Sequence, residues 1–143
     1  NDSWYKNHLG VLRIFHKVLR DSPDFELNCV FAGKPFSTYQ RSYIQKHGLK
    51  SHVFNLQNLT HEELRALYST AELLLYPLHY EGFGWPPLEA QACGCPVVAS
   101  QRGSLKEVLD SSALTAEPPD ETAFINHVKN IISSEILGSE LRK

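Results

Sequence analysis

ELLLYPLHYEGFGWPPLEAQACGCPVVAS, residues 72–100, is the stretch that decides the fold. It opens on a short apolar run, ELLLY (72–76), of the length a buried strand needs. A loop holding Glu81, Gly82, Phe83 and Gly84 follows, then PPLEAQAC (86–93), a helix with proline in its first turn. PVVAS (96–100) reads as a second strand. Strand, glycine-bearing loop, helix and strand make a βαβ unit, whose two strands run parallel. In an open parallel sheet the carboxyl ends of the strands border the ligand crevice, so the loop at 81–84 is placed for binding. Gly82 and Gly84 let the backbone pass close to a ligand, while the free amides and positive dipole end of the helix favour a phosphate. Two carboxylates, Glu81 and Glu89, bracket seven residues, 82–88, around that loop.

The same alternation continues outward. Val11, Leu12, Phe15, Val18 and Leu19 share one face of a helix over 7–20, which Pro23 stops. ELNCVFA (26–32) is a buried strand ending at Gly33. Ser37 with Gln40, and Thr60 with Glu63, are capping boxes that start two further helices, with Gly48 closing the first and SHVFNL (51–56) forming a strand between them. Ser104 and Glu107 cap a short helix, and a short strand lies near 113–115. PPD (118–120) opens a helix whose Phe124, Ile125, Val128, Ile131 and Ile132 repeat at core spacing, and 134–143 is weakly helical. Strands separated by helical stretches predict an α/β fold, a doubly wound parallel sheet of Rossmann-like type with helices on both faces. Such domains normally open on a strand, whereas this chain opens on a loop and a helix, so a first strand is expected upstream.

At 143 residues the chain fits one domain. Its 14 Lys+Arg against 16 Asp+Glu give a net charge of -2, without the global field that draws a protein to nucleic acid or an anionic membrane. Nucleic acid is therefore not an expected partner, and an anionic ligand must be held locally. Cys29, Cys93 and Cys95 form neither an even disulfide set nor a two-pair zinc pattern, which suits a reducing compartment. Asn1, Asp2, Lys6, His8, Arg13 and Lys17 interrupt every early apolar stretch, so no signal peptide is visible, and no run approaches the roughly 20 residues of a membrane span. The composition indicates a soluble, cytoplasmic chain.

The string E-G-F-G-x-P-x-L-E-A (81–90) resembles the signature of family 4 retaining glycosyltransferases of GT-B architecture. YKN (5–7), HVFNL (52–56), EELRALYSTAELLLYP (62–77), ACGCPVVAS (92–100) and GSLKEV (103–108) fall in that family's order and spacing, so the resemblance spans nearly the whole chain. It implies that residues 1–143 form a single donor-binding domain, the C-terminal half of such an enzyme, with the acceptor-binding N-terminal domain absent. The implied reaction transfers a hexosyl group from a nucleoside-diphosphate sugar, linked to UDP, GDP or ADP, with retention of anomeric configuration. Neither a cofactor nor a metal is implied, any membrane contact falls to the absent half, and this half alone is expected to bind donor without transferring it.

The resemblance also assigns roles. Glu81 would face the donor sugar's hydroxyls and Lys6 would stabilise the leaving phosphate, these two being the catalytic candidates. Glu89 would accept from the ribose, and Gly82, Phe83 and Gly84 would offer amides to sugar and diphosphate. Phe54, Leu56 and Gln57, at a strand end, would border the base, with Lys34 pointing into the same crevice. Where the family usually has arginine beside the lysine, this sequence has Tyr5.

Each assignment has a plainer rival. Carboxylates favour helix starts, which would explain Glu81 and Glu89 without a ligand, and Lys6 or Lys34 could be solvated surface charges. Cys93 and Cys95 flank Gly94 at a turn where small residues pack. Three other functional classes remain open: a nucleotide-sugar epimerase, a disaccharide-phosphate synthase of the same architecture, and a non-catalytic nucleotide-sugar-binding module.

Overall fold

The computed structural model describes residues 4–80 and 82–142, residue 136 by its backbone alone. A 3-10 turn at Trp4–Lys6 leads into α1 (His8–Asp21), then β1 (Cys29–Ala32), α2 (Thr38–Lys46), β2 (Val53–Leu56), α3 (His61–Thr70) and β3 (Leu74–Tyr76). The second half runs α4 (Trp85–Ala92), β4 (Val97–Ser100), α5 (Leu105–Leu109), β5 (Leu114–Ala116), α6 (Glu121–Ser133) and α7 (Glu135–Leu141). Each strand is shorter than its apolar run, because only residues with a ladder partner join the sheet.

Local chemistry sets most helix starts. Ser37 accepts from the Gln40 amide at 3.2 Å while Gln40 Oε1 accepts from the Ser37 amide at 2.7 Å. Thr60 and Glu63 make the same exchange at 3.1 and 2.8 Å. Asp120 starts α6 by accepting from the Ala123 amide at 3.0 Å. Gly48 turns the chain after α2 with φ 64, a left-handed position natural to glycine. The expected Ser104 cap does not form: Ser104 is itself helical, with φ -66, and its hydroxyl donates to the Gly82 carbonyl oxygen at 2.8 Å.

Every strand pair is parallel, but the single predicted sheet is divided in two. β1 and β2 form one, in register from Cys29↔Val53 to Ala32↔Leu56, and β3-β4-β5 form the other. β4 is buried along its whole length, with Val97 and Ala99 packed toward Ala90 of α4 and Leu105 and Leu109 of α5, and Val98 toward α1 and α6. Helices therefore cover both faces of the three-stranded sheet. The β1-β2 sheet is covered on one side only; on the other, Val30 is 40% and Phe54 45% exposed.

One helix joins the two sheets. Leu12 and Phe15 of α1 pack with Ile44, Leu49 and Val53, while Ile14 and Val18 pack with Val98, Ala116, Phe124, Val128 and Ile131. Burying each such side chain is worth about 1.5–3 kcal/mol. The accompanying ion pairs, Arg13 to Glu121 at 2.7 Å and Lys17 and Lys129 to Asp21 at 3.4 and 3.5 Å, are partly exposed and each contribute at most about 1 kcal/mol. Apolar packing decides the joint. At the other end, Arg142 beyond α7 donates to the carbonyls of Gly94 and Ala71 at 3.2 and 3.3 Å. Among the described residues no helix is long and apolar enough to cross a membrane.

The three cysteines are free thiols. Cys95 is fully buried, and burial pushes its pKa from the ordinary 9.0 up to about 11. The unfolded chain loses this proton at lower pH than the folded one, so the native state binds more protons above pH 9 and stability falls as pH rises. Denaturant melts at pH 8, 9 and 10 should show a loss approaching about 1.4 kcal/mol per pH unit from this group, and Cys95→Ala should remove that component of the slope.

Candidate functional site

The site begins where β3 runs out. Pro77 is fully buried, and its carbonyl accepts a 2.8 Å hydrogen bond from the side-chain amide of Asn7. Asn7 sits in a left-handed conformation, φ 52 and ψ 41, and is only 8% exposed. Asparagine is among the few side chains that tolerate this backbone. The absence of a side chain at Gly10 makes room for it, since a Cβ there would meet the Asn7 amide at 2.4 Å. A second bond, His79 N–H to the Tyr5 carbonyl at 2.8 Å, completes the clamp. Together these hold the YKN turn, and with it Lys6, against the loop between β3 and α4.

That loop is shaped at both ends. Gly84 caps α4 with φ 91 and ψ 42, a conformation that strains any residue with a Cβ. Gly82 has ordinary φ, and a Cβ there would meet no atom within 4 Å. The Ser104 hydroxyl fixes its carbonyl from the α5 side. Phe83 is exposed and packs against Trp85 with ring centroids 4.8 Å apart. Glu81, the proposed sugar-facing carboxylate, lies outside the described residues.

Two details depart from the sequence reading. Pro86 and Pro87 occupy the second and third positions of α4 and carry no N–H, so the helix start offers fewer amides to a phosphate than an ordinary one. Glu89 is the fifth residue of α4, exposed, and beyond the first turn rather than within it. It faces Tyr68 of α3, whose pKa is pushed up to about 12, first by burial and then by the Glu89 charge.

A second group sits at the ends of β1 and β2. The Asn55 side-chain amide donates to the carbonyls of Phe31 at 3.2 Å and Lys34 at 3.0 Å, and Gln57 donates to Asn55 Oδ1 at 3.0 Å. This stitches the turn carrying Lys34 to the strand carrying Leu56 and Gln57. Phe54 lies earlier, on the uncovered face of β2 rather than at its tip. Among the described residues neither Lys6 nor Lys34 takes part in an ion pair. No group of three or more His, Cys, Asp or Glu side chains is placed to hold a metal among them.

Of the described candidates, Lys34, Leu56 and Gln57 lie at the carboxyl ends of β1 and β2, and Gly82, Phe83 and Gly84 lie in the loop after β3. Two cavities, of about 250 and 300 Å³, lie elsewhere, one against α7 at Glu72 and Arg142 and the other between α1 and α6 at Arg13 and Glu121. Asn7, Asn55 and Tyr68 were not singled out from sequence, and Ser104 was read only as a helix cap. Asn7 had a signal, the glycine three residues after it, but its partner lies 70 residues away.

The chain is 43% identical over 129 residues to the O-antigen chain mannosyltransferase RfbU of Salmonella typhimurium, covering 90% of this chain and 36% of that protein. It is 39% identical over 102 residues to the MMP alpha-(1->4)-mannosyltransferase of Mycolicibacterium hassiacum, covering 70% of this chain and 25% of that protein. The chain thus spans about a third or less of these relatives' lengths. The C-terminal domain of a glycosyl transferase group 1 family protein (LpcC) from Francisella tularensis superposes with a TM-score of 0.83 at 22% identity, covering 97% of this chain and 75% of that one. The fold is accordingly that of a GT-B glycosyltransferase C-terminal domain. The family Glycosyl transferases group 1 matches residues 1–143, and the chain belongs to it.

Proposed function

We propose that this chain is the single donor-binding domain of a family 4 retaining glycosyltransferase and that it holds a nucleoside-diphosphate hexose, with mannose as the favoured sugar. The observation that supports the reading is the pair of bonds from Asn7 to Pro77 and from His79 to Tyr5, which ties the turn carrying Lys6 to the start of the loop that continues into Gly82 to Gly84. Similarity to two mannosyltransferases supports the sugar. UDP, GDP and ADP remain the candidate nucleotides.

In this reading the diphosphate lies over the Phe83 and Gly84 amides, with Lys6 neutralising the charge that develops as the glycosidic bond breaks. A lysine ammonium acts as a point charge, so it must be brought close, and the Asn7 clamp does that. Glu89 accepts from the ribose and Glu81 from the sugar hydroxyls, while Phe54, Leu56, Gln57 and Lys34 border the base. The leaving phosphate takes the acceptor proton on the same face, so the protein supplies position and charge rather than a nucleophile. Lysine and backbone donors take the place of a metal. The acceptor is completed by a second domain, and this half alone binds donor without transferring it.

Three measurements test this. Asn7→Gly keeps the left-handed backbone but deletes the amide; it should lower stability by about 1–3 kcal/mol and weaken UDP or GDP binding by calorimetry, whereas undiminished affinity would detach Lys6 from the clamp argument. Glu89→Gln should weaken free nucleotide and nucleotide sugar alike, by roughly 1.5–3 kcal/mol, whereas Glu81→Gln should weaken only the sugar conjugate. Equal losses on the free nucleotide would refute that division of roles. Finally, transfer by the full-length enzyme should survive EDTA; activity lost in EDTA and restored by manganese would point to metal-assisted departure of the phosphate.

A further inference from the structure

One buried hydroxyl in the central strand is unpaired. Ser100 ends β4 with no exposed surface, and its Oγ has no hydrogen-bond partner among the described residues. Such a group is rare in a folded protein, because it loses its water without regaining a bond. Alanine fills the positions beside it, Ala99 before it in β4 and Ala116 across the ladder in β5, at no such cost. The hydroxyl is covered wholly by atoms of this chain, so only groups of this chain can reach it.

Its place in the sheet narrows the choice of partner. Side chains alternate along a strand, so Ser100 shares the face of Val98, which packs with Ile14 and Val18 of α1. Two residues along a strand advance about as far as one turn of a helix, and one turn before Ile14 stand Gly10 and Val11, with Asn7 a further turn back. On the neighbouring strand Tyr76 pairs with Ala99, so Pro77 follows opposite Ser100, and Pro77 is the residue whose carbonyl accepts from the Asn7 side chain. That bond uses only the donor half of the Asn7 amide. Its oxygen accepts from none of the amides of its own helix. A hydroxyl in need of an acceptor and an amide oxygen able to accept therefore lie at the same end of the same face.

We propose that Ser100 is a positioning residue, its hydroxyl donating to Asn7 Oδ1 when a bound nucleoside diphosphate draws Lys6 toward it. The proposal rests on the donor-binding reading above and adds how the free and loaded states differ. In the free domain the Asn7 side chain is held by Pro77 and Ser100 is unpaired, which weakens that state. On binding, Lys6 moves toward the phosphates, Asn7 follows as the next residue, and both halves of its amide are then bonded. The ligand thereby favours the loaded state by the bond that only this state makes.

Ser100→Ala separates this role from packing. In the full-length protein the variant should melt at the parent's temperature or up to about 5 °C higher, since an unpaired buried hydroxyl is removed. Calorimetric titration should show UDP and GDP, as far as the parent binds each, held about three- to tenfold more weakly. A residue that serves packing alone would not move stability and affinity in opposite directions. In an Asn7→Gly background, Ser100→Ala should weaken binding no further, because the two residues act through one bond. Affinity within about twofold of the parent, or a loss of the same size in the Asn7→Gly background, overturns the positioning role and leaves the donor reading standing. So does a variant that loses stability and affinity together. A parent that binds neither nucleotide overturns both readings.

Discussion

The packing of α1 is the contact on which the rest of the molecule depends. Parallel strands ordinarily build one ladder, yet here β1 and β3 share no pairing, and the β1-β2 sheet would be an isolated two-stranded unit without another source of stability. One helix supplies it from two adjacent stripes: Leu12 and Phe15 face Ile44 and Val53, and Ile14 and Val18 face Val98 and Phe124. Hydrophobic burial decides this joint, because the ion pairs beside it are exposed and weak. A helix fixed in that way also fixes its own start, where Asn7 and the turn carrying Lys6 lie.

From the start of α1, Asn7 transmits position to the site. Its left-handed backbone turns the chain, its amide reaches the Pro77 carbonyl, and Gly10 leaves the space it occupies. Lys6 is therefore placed by a buried hydrogen bond instead of by its own flexible side chain. The same economy holds across the loop. Ser104 leaves its own helix uncapped and fixes Gly82 instead, while Gly84 takes a backbone angle open to it alone. Pro86 and Pro87 leave the start of α4 with two fewer free amides than an ordinary helix start. Glu89, Lys6, Phe83 and Trp85 are all exposed, where electrostatic contacts are weakened by water.

Features encoded by neighbours a few residues apart were legible in the sequence. The Ser37 and Thr60 capping boxes, the turn at Gly48, the βαβ order around 72–100 and the core stripe of α6 all follow from local spacing, and all are present. What depends on residues far apart was not legible. The division of the sheet, the uncovered face bearing Phe54, the failure of Ser104 to cap and the Asn7 clamp each depend on segments separated along the chain. The sequence by itself determined which segments are helix and strand, because hydrogen-bonded turns and hydrophobic period are local properties. Only the tertiary structure decided which side chains meet at the site, because those choices are made by packing and by competition between near and distant partners for the same polar group.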